Sequence, residues 1–389
     1  MLSRLLLLSD HADCPTGFGV QHGYLARGLA KTGRWDVHSV GLWDKRPIAQ
    51  VAPHLTRYPG GHWPPNDPEL WRIYGSIIKP DILITLGDLW MYEHLLKEPP
   101  TGLTWFHWLP VDGAPFPMLW STWLANLEHL VLMSKFGVQL FRGQLPQKVR
   151  CHYVAHGVDT ELFRPLPGDS NLRSKWSTRL HTHLAPDDFL LISRDTNQWR
   201  KQQPLLLEAL SLINDPTVKL MFHCDPVAGD PGSGWDLRYA AKHVYGVEDR
   251  VIFTSPGEKA DALPQNELNE LDNVCDIRVS AAAGEGFGVI TLEGLANGTP
   301  SVITDYTTSR ELVEGCGELV RVAGHTLQQG AHILRPIVDT LDFARRILKL
   351  RRDPALLSTY CRRGRQRAVR HYTVKRMVRA WCDLILKNT

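Results

Sequence analysis

CDIRVSAAAGEGFGVITLEGLANGTPSVIT, residues 275–304, runs apolar, then glycine-rich, then apolar again. DIRVSAA supplies a strand, GEGFG a loop, and VITLEGLANG a helix closed by Gly298, with Pro300 beyond it. Two glutamates, Glu285 and Glu293, stand eight positions apart around that turn. Glu285 falls at the carboxyl end of the strand, and Glu293, inside the helix, projects toward the same side. A carboxylate only accepts hydrogen bonds, so such a pair suits a ligand rich in hydroxyls. Gly286 and Gly288 carry no side chain, which opens the backbone N–H groups at the helix start to an anion. Taken singly, Glu285 also serves to balance the helix dipole and Glu293 as solvated surface. Neither explains the arrangement.

The same strand–loop–helix logic recurs along the chain. LSRLLLLSD (2–10) is an apolar strand ending at the turn TGFG (16–19), and VQHGYLARGLAKTG (20–33) repeats apolar residues at helical spacing. PDILITLGD (80–88), TGLTWFHWLP (101–110) and EHLVLMSKFG (128–137) follow suit. A Pro- and Gly-rich break, HGVDTELFRPLPGDS (156–170), precedes a second series: DFLLISRD (188–195), PLLLEALSLI (204–213), VKLMFHC (218–224) and RVIFTS (250–255). Near-continuous apolar strands alternating with helices predict parallel sheets covered on both faces. The fold class is therefore α/β, with two Rossmann-like units over 1–165 and 166–370 facing a cleft. A C-terminal helix over 371–389 packs on either unit, the N-terminal one included. Ligands in such sheets bind outside the carboxyl ends of the strands.

Composition agrees with a folded chain long enough for two cores: 389 residues, 43% apolar and 22% charged. Apolar runs such as Leu5–Leu8 fall far short of the roughly 20 residues that span a bilayer. That run leads into SDHADCP, which reads as a first strand and not as a signal peptide. Seven scattered cysteines without CxxC spacing predict reduced thiols in a cytoplasmic protein and no zinc site. The net charge of +3 conceals thirteen Lys and Arg between Arg345 and Arg379 against one acid, Asp353, leaving a balance of −9 elsewhere. Such a stretch is either a solvated helical face or an attractor of nucleic-acid or lipid phosphates.

Two further segments suit phosphate. TGFGVQHG (16–23) places Gly17, Phe18 and Gly19 between a strand and a helix, one position too long for GxGxxG. In SRDTNQWRKQQ (193–203), Arg194 leaves a strand end, Asn197 follows in the loop, and Arg200 with Lys201 precedes the next helix. Paired cations there suit a diphosphate.

Together these residues resemble the GT-B glycosyltransferases, in particular the large retaining family numbered four. The E-x7-E motif matches as Glu285 and Glu293, and AHGVDTELFRP (155–165) resembles the family's linker phrase, with His156 where Asn is usual. The resemblance implies that Glu293 accepts the ribose hydroxyls of a UDP- or GDP-sugar and that Glu285 binds the sugar transferred. It implies that Arg200 and Lys201 neutralise the departing diphosphate. Arg194, Asn197 and the backbone of Gly286, Phe287, Gly288 and Gly17–Gly19 complete the donor set. No D-x-D triplet is present, so no metal and no cofactor beyond the nucleotide sugar is expected. FHWLPVDGAPFP (106–117) supplies either His107 or Asp112 at the reacting centre; it departs from the family's shorter phrase.

The acceptor is least legible. Nine of thirteen tryptophans (35, 43, 63, 71, 90, 105, 108, 120, 123) precede residue 124, suited to stacking on sugars or bases, or simply to a core. A glycan, a lipid at a membrane surface and a hydroxymethylpyrimidine in DNA are the acceptor classes, DNA following from the basic stretch and a resemblance to a phage and microbial subgroup. If phage-encoded, the protein would work in the host cytoplasm. Two alternatives stand beside transfer: a sugar-nucleotide epimerase of GT-B fold, and a non-catalytic nucleotide-sugar-binding module needing neither His107 nor Asp112.

Overall fold

The computed structural model describes residues 2–389 apart from 62, 63, 65, 168, 169, 230, 231, 256, 258–261, 329 and 331. Trp63 and two residues of the Pro- and Gly-rich break, Gly168 and Asp169, lie outside the described residues. The chain forms two units. The first takes residues up to Gly157 with 330–333 and Tyr372–Thr389; the second takes 158–329 and 334–371.

The first unit is built on β1 (Ser3–Asp10), β2 (Trp35–Leu42), β3 (Ala49–Ala52), β4 (Leu55–Pro59), β5 (Ile82–Leu86), β6 (Thr104–Leu109), β7 (His129–Leu132) and β8 (Arg150–Tyr153). They lie in the order β3-β4-β2-β1-β5-β6-β7-β8, parallel except where β3 meets β4. Leu5–Leu8 are all buried, because helices cover both sheet faces and leave no polar side for the run to alternate with. The last helix, Val374–Asn388, belongs to this unit. Its Trp381 meets Trp108 edge-on at 5.2 Å and Phe106 at 6.1 Å. It also comes so near the helix Gly17–Lys31 that a Cβ on Gly28 would stand 2.3 Å from Val378 Cγ2.

The second unit carries β9 (Phe189–Ser193), β10 (Val218–Phe222), β11 (Val251–Phe253), β12 (Ile277–Ser280), β13 (Ser301–Thr304) and β14 (Glu318–Val320), all parallel, in the order β11-β10-β9-β12-β13-β14. A two-stranded ribbon, β15 (Val322–Gln328) with β16 (Ile333–Val338), follows. In both large sheets the chain starts in the middle, grows one way, then returns to the other side of its first strand. The order therefore reverses between β1 and β5, and again between β9 and β12, which is where doubly wound sheets open a crevice. Register sets Ile277 beside Leu191 and Arg278 beside Ile192. That pairing delivers the loops after β9 and β12 side by side.

Candidate active site

The loop after β12 must turn sharply before its helix. Gly288 takes φ +90° and hands over to the helix Val289–Asn297, which Gly298 closes at φ +79°. Side chains rarely adopt either conformation, so these two glycines are set by the backbone. Loop 305–308 pins the glycine turn from outside: Glu285 N donates to Thr307 Oγ1 at 3.1 Å, and Thr308 Oγ1 donates to the Phe287 carbonyl at 2.8 Å. Phe287 itself is buried.

Lys201 and Glu285 meet at the switch point. Lys201 Nζ donates to Glu285 Oε1 and, on its other side, to Asp195 Oδ1 at 3.0 Å. Ser280 donates to the second Asp195 oxygen at 2.5 Å. Burial opposes the Lys201 charge, but Asp195 and Glu285 outweigh it and raise the lysine pKa, so the cation persists. Burial likewise works against the Asp195 charge, and Lys201 with Ser280 more than reverses it, lowering that pKa. Arg200 lies 3.7 Å from Glu285 and donates to the Gly284 carbonyl. The two cations and the carboxylate expected from the sequence are thus brought together. Asp195, Ser280, Thr307 and Thr308 were not legible there, since their roles depend on strand ends meeting in space.

Glu293 is 7% exposed and not solvated surface. Burial raises its pKa, with Asp272 adding to the effect, against the opposing pull of Arg194. Arg194, expected in the donor set, has a side chain that is 3% exposed and donates to Glu293 Oε2. The cause is geometric: Arg194 directly follows β9, and its side chain turns inward under the helix bearing Glu293. Asn197, also expected in the donor set, has an amide that donates to the carbonyls of Asp225 (2.9 Å) and Trp235 (2.8 Å) and accepts from Trp235 N (3.0 Å). Both of its side-chain N–H groups are thereby engaged within the protein.

In the first unit, Gly17, Phe18 and Gly19 are not a loop but the first turn of the helix Gly17–Lys31. Thr16 caps it, accepting from Gly19 N at 3.0 Å and donating to Asp10 at 2.6 Å. Gly19 is there for packing: a Cβ would stand 2.6 Å from the Cys14 carbonyl oxygen. A Cβ on Gly17 would meet nothing within 4 Å, so this residue and the helix start carry the anion-binding expectation. His107 sits inside the sheet, on β6, with Nδ1 2.7 Å from the Thr85 hydroxyl and its ring edge-on to Tyr92 at 5.4 Å. Burial pulls its pKa down to about 3. It is a core histidine, and Asp112, half-buried in the loop after β6, is the one of the two at a strand's carboxyl end. His156 of the linker is also buried, edge-on to Trp108 at 4.5 Å.

The basic C-terminal stretch is partly spent inside the fold. Arg346 and Lys349 pair with Glu318. Arg365 donates to the carbonyls of Phe163, Ala296 and Thr160, Arg367 to those of Leu312 and Glu314, and Arg363 to that of Gly315. Arg351 reaches the Asp187 carbonyl and the Thr217 hydroxyl. Four of the thirteen cations thus reach backbone carbonyls and two share one acid, while Arg345, Arg352, Arg362, Arg370, Lys375, Arg376 and Arg379 are exposed. All seven cysteines are unbridged. Among the described residues, no helix is long and apolar enough to cross a membrane.

Two doubly wound parallel sheets in one chain, with the glycine turn and its carboxylates at the second switch point, define the GT-B fold of glycosyltransferases. The fold is shared with sucrose-phosphate synthase from Thermosynechococcus elongatus (TM-score 0.76, 18% identity, 99% of this chain and 98% of that one). It is shared as well with Anabaena HepE in complex with UDP and glucose (TM-score 0.71, 16% identity, 99% of this chain and 100% of that one). Residues 186–353, in the second unit apart from 330–333, match the family model of glycosyl transferases group 1. Among curated proteins, a D-inositol 3-phosphate glycosyltransferase of Streptosporangium roseum is 28% identical over 194 residues, 49% of this chain and 42% of that protein. One from Frankia alni is 34% identical over 160 residues, 39% of this chain and 36% of that protein. The matches span about half or less of the length of these relatives.

Proposed function

We propose that this chain is a retaining, metal-independent glycosyltransferase that moves a sugar from a nucleoside diphosphate sugar to an acceptor hydroxyl. One observation carries the reading: Lys201, from the loop after β9, meets Glu285, from the loop after β12, at a glycine turn whose helix carries a second carboxylate, Glu293. Lys201 and Arg200 take the charge that grows on the diphosphate as the sugar–oxygen bond breaks. Glu285 accepts from hydroxyls of the sugar and Glu293 from those of the ribose. The acceptor oxygen bonds to the sugar on the face the diphosphate leaves, and its proton passes to a departing phosphate oxygen. The complexes of HepE with UDP make uracil the first base to test.

The test supplies labelled UDP-, GDP- and ADP-sugars in EDTA with glycans, a lipid extract, and hydroxymethylated and unmodified DNA. Label from a UDP-sugar is expected in one acceptor. Tight UDP binding with no turnover of any donor would make the chain a binding module. Activity lost in EDTA and restored by a divalent cation would overturn metal independence.

A further inference from the structure

Beneath Glu293 the second unit buries a further set of charges. Asp272, on the helix Gln265–Val274, is 0% exposed. Its carboxylate accepts from Arg278 Nη1 at 3.0 and 2.9 Å and from Asn297 Nδ2 at 2.7 Å. Arg194 Nε lies 3.2 Å from the same carboxylate, while Arg194 Nη2 donates to Glu293 Oε2. One guanidinium therefore bridges Asp272 to Glu293. The four charged groups come from four elements: the helix Gln265–Val274, β12, the end of β9 and the helix Val289–Asn297.

Burying charges is costly unless each is matched, and well-packed apolar groups of the same volume usually stabilise a fold as well or better. Here two cations and two anions cancel, and the set ends at a carboxylate beside the glycine turn. Arg194 occupies Oε2 of Glu293, so Oε1 is the oxygen a ligand hydroxyl would meet. We propose that Asp272 is a positioning residue for nucleotide recognition: it fixes Arg194, and Arg194 fixes the Glu293 carboxylate for the ribose hydroxyls of a nucleoside diphosphate. This rests on the assignment of Glu293 above. Without the Asp272 charge, Glu293 alone faces both Arg194 and Arg278 and is drawn down onto them.

The experiment measures binding of UDP, 2′,3′-dideoxy-UDP and inorganic pyrophosphate to the full chain by calorimetry, for the wild type, Asp272→Asn and Arg278→Lys. The wild type is expected to prefer UDP over the dideoxy form by about 10-fold or more, the worth of hydrogen bonds to a charged group. Asp272→Asn should bring that preference close to one, while pyrophosphate affinity stays within about 2-fold. A lower melting temperature with the preference intact would show a purely structural role and overturn the proposal. Should Asp272→Asn fail to fold, Arg278→Lys keeps the charge but withdraws the Nη1 that donates to both Asp272 oxygens, and full retention of the preference there overturns it equally. A wild type that binds UDP without preference removes the ribose role of Glu293 and this proposal with it. A wild type that binds neither UDP nor pyrophosphate removes the donor site itself.

Discussion

The stem of Arg278 crosses the helix Val289–Asn297 at Gly294, where a Cβ would stand 2.1 Å from the arginine Cδ. The glycine after Glu293 is thus a passage for the buried arginine. Gly294→Ala gains helix propensity yet forces Arg278 aside. The net expectation is a loss of about 1–3 kcal/mol in urea unfolding, the cost of overpacking a close-packed interior. An unchanged midpoint would mean Arg278 has another route.

Lys201 donates to both Glu285 and Asp195, so a diphosphate competes with two carboxylates for this cation. Glu285→Gln is expected to tighten UDP binding by about 3- to 10-fold, since a neutral amide competes less for the cation. Sugar transfer should fall in the same variant. Weaker UDP binding would place Glu285 among the groups that hold the nucleotide.

Lys201→Ala should lower turnover more than UDP affinity, because charge on the leaving group peaks in the transition state. A drop of about 100-fold or more in kcat is the expected scale for removing one such donor. The variant also leaves Asp195 buried without its cation, at roughly 3–5 kcal/mol of stability. Affinity lost with kcat kept would make Lys201 a binding group only.

Acid should loosen the first unit early. His22, His107 and His156 are buried there, and burial lowers their pKa values from 6.5 to about 4, about 3 and about 3. Protons therefore prefer the unfolded chain between those values and 6.5. Stability from these groups is complete above pH 6.5 and is lost as pH falls toward 3, by about 2 kcal/mol per histidine at pH 5. Asp195, whose pKa is lowered, has the same sign in a lower window, its contribution going only below the ordinary carboxylate range. Urea unfolding followed by tryptophan fluorescence at pH 7.5, 6 and 5 measures this. A flat response would mean that none of these histidines is held neutral by burial.

Glu293→Gln keeps the shape of the side chain and removes its charge. UDP affinity is expected to fall about 10- to 100-fold, the range of one or two charge-assisted hydrogen bonds. Calorimetry showing wild-type affinity would take Glu293 out of the site.

Local pattern alone determined the central strands of both sheets, the glycine turn before the helix of Glu293 and the helix stop at Gly298. Strand hydrophobicity, left-handed glycines and the strand-to-loop order are properties of short segments, and the parallel fold follows from their alternation. What a charged side chain meets is not. Arg194 and Lys201 sit seven positions apart around one loop, yet one turns under a helix toward Asp272 and the other faces Glu285. His107 and Asp112 sit five apart, one inside a sheet and one beyond its edge. The sequence by itself determined which residues could do the chemistry and at which end of which strand they lie. Only the tertiary structure decided which of those charges are already matched inside the protein, because burial and pairing depend on groups brought together from distant segments where strands β9 and β12 pair side by side.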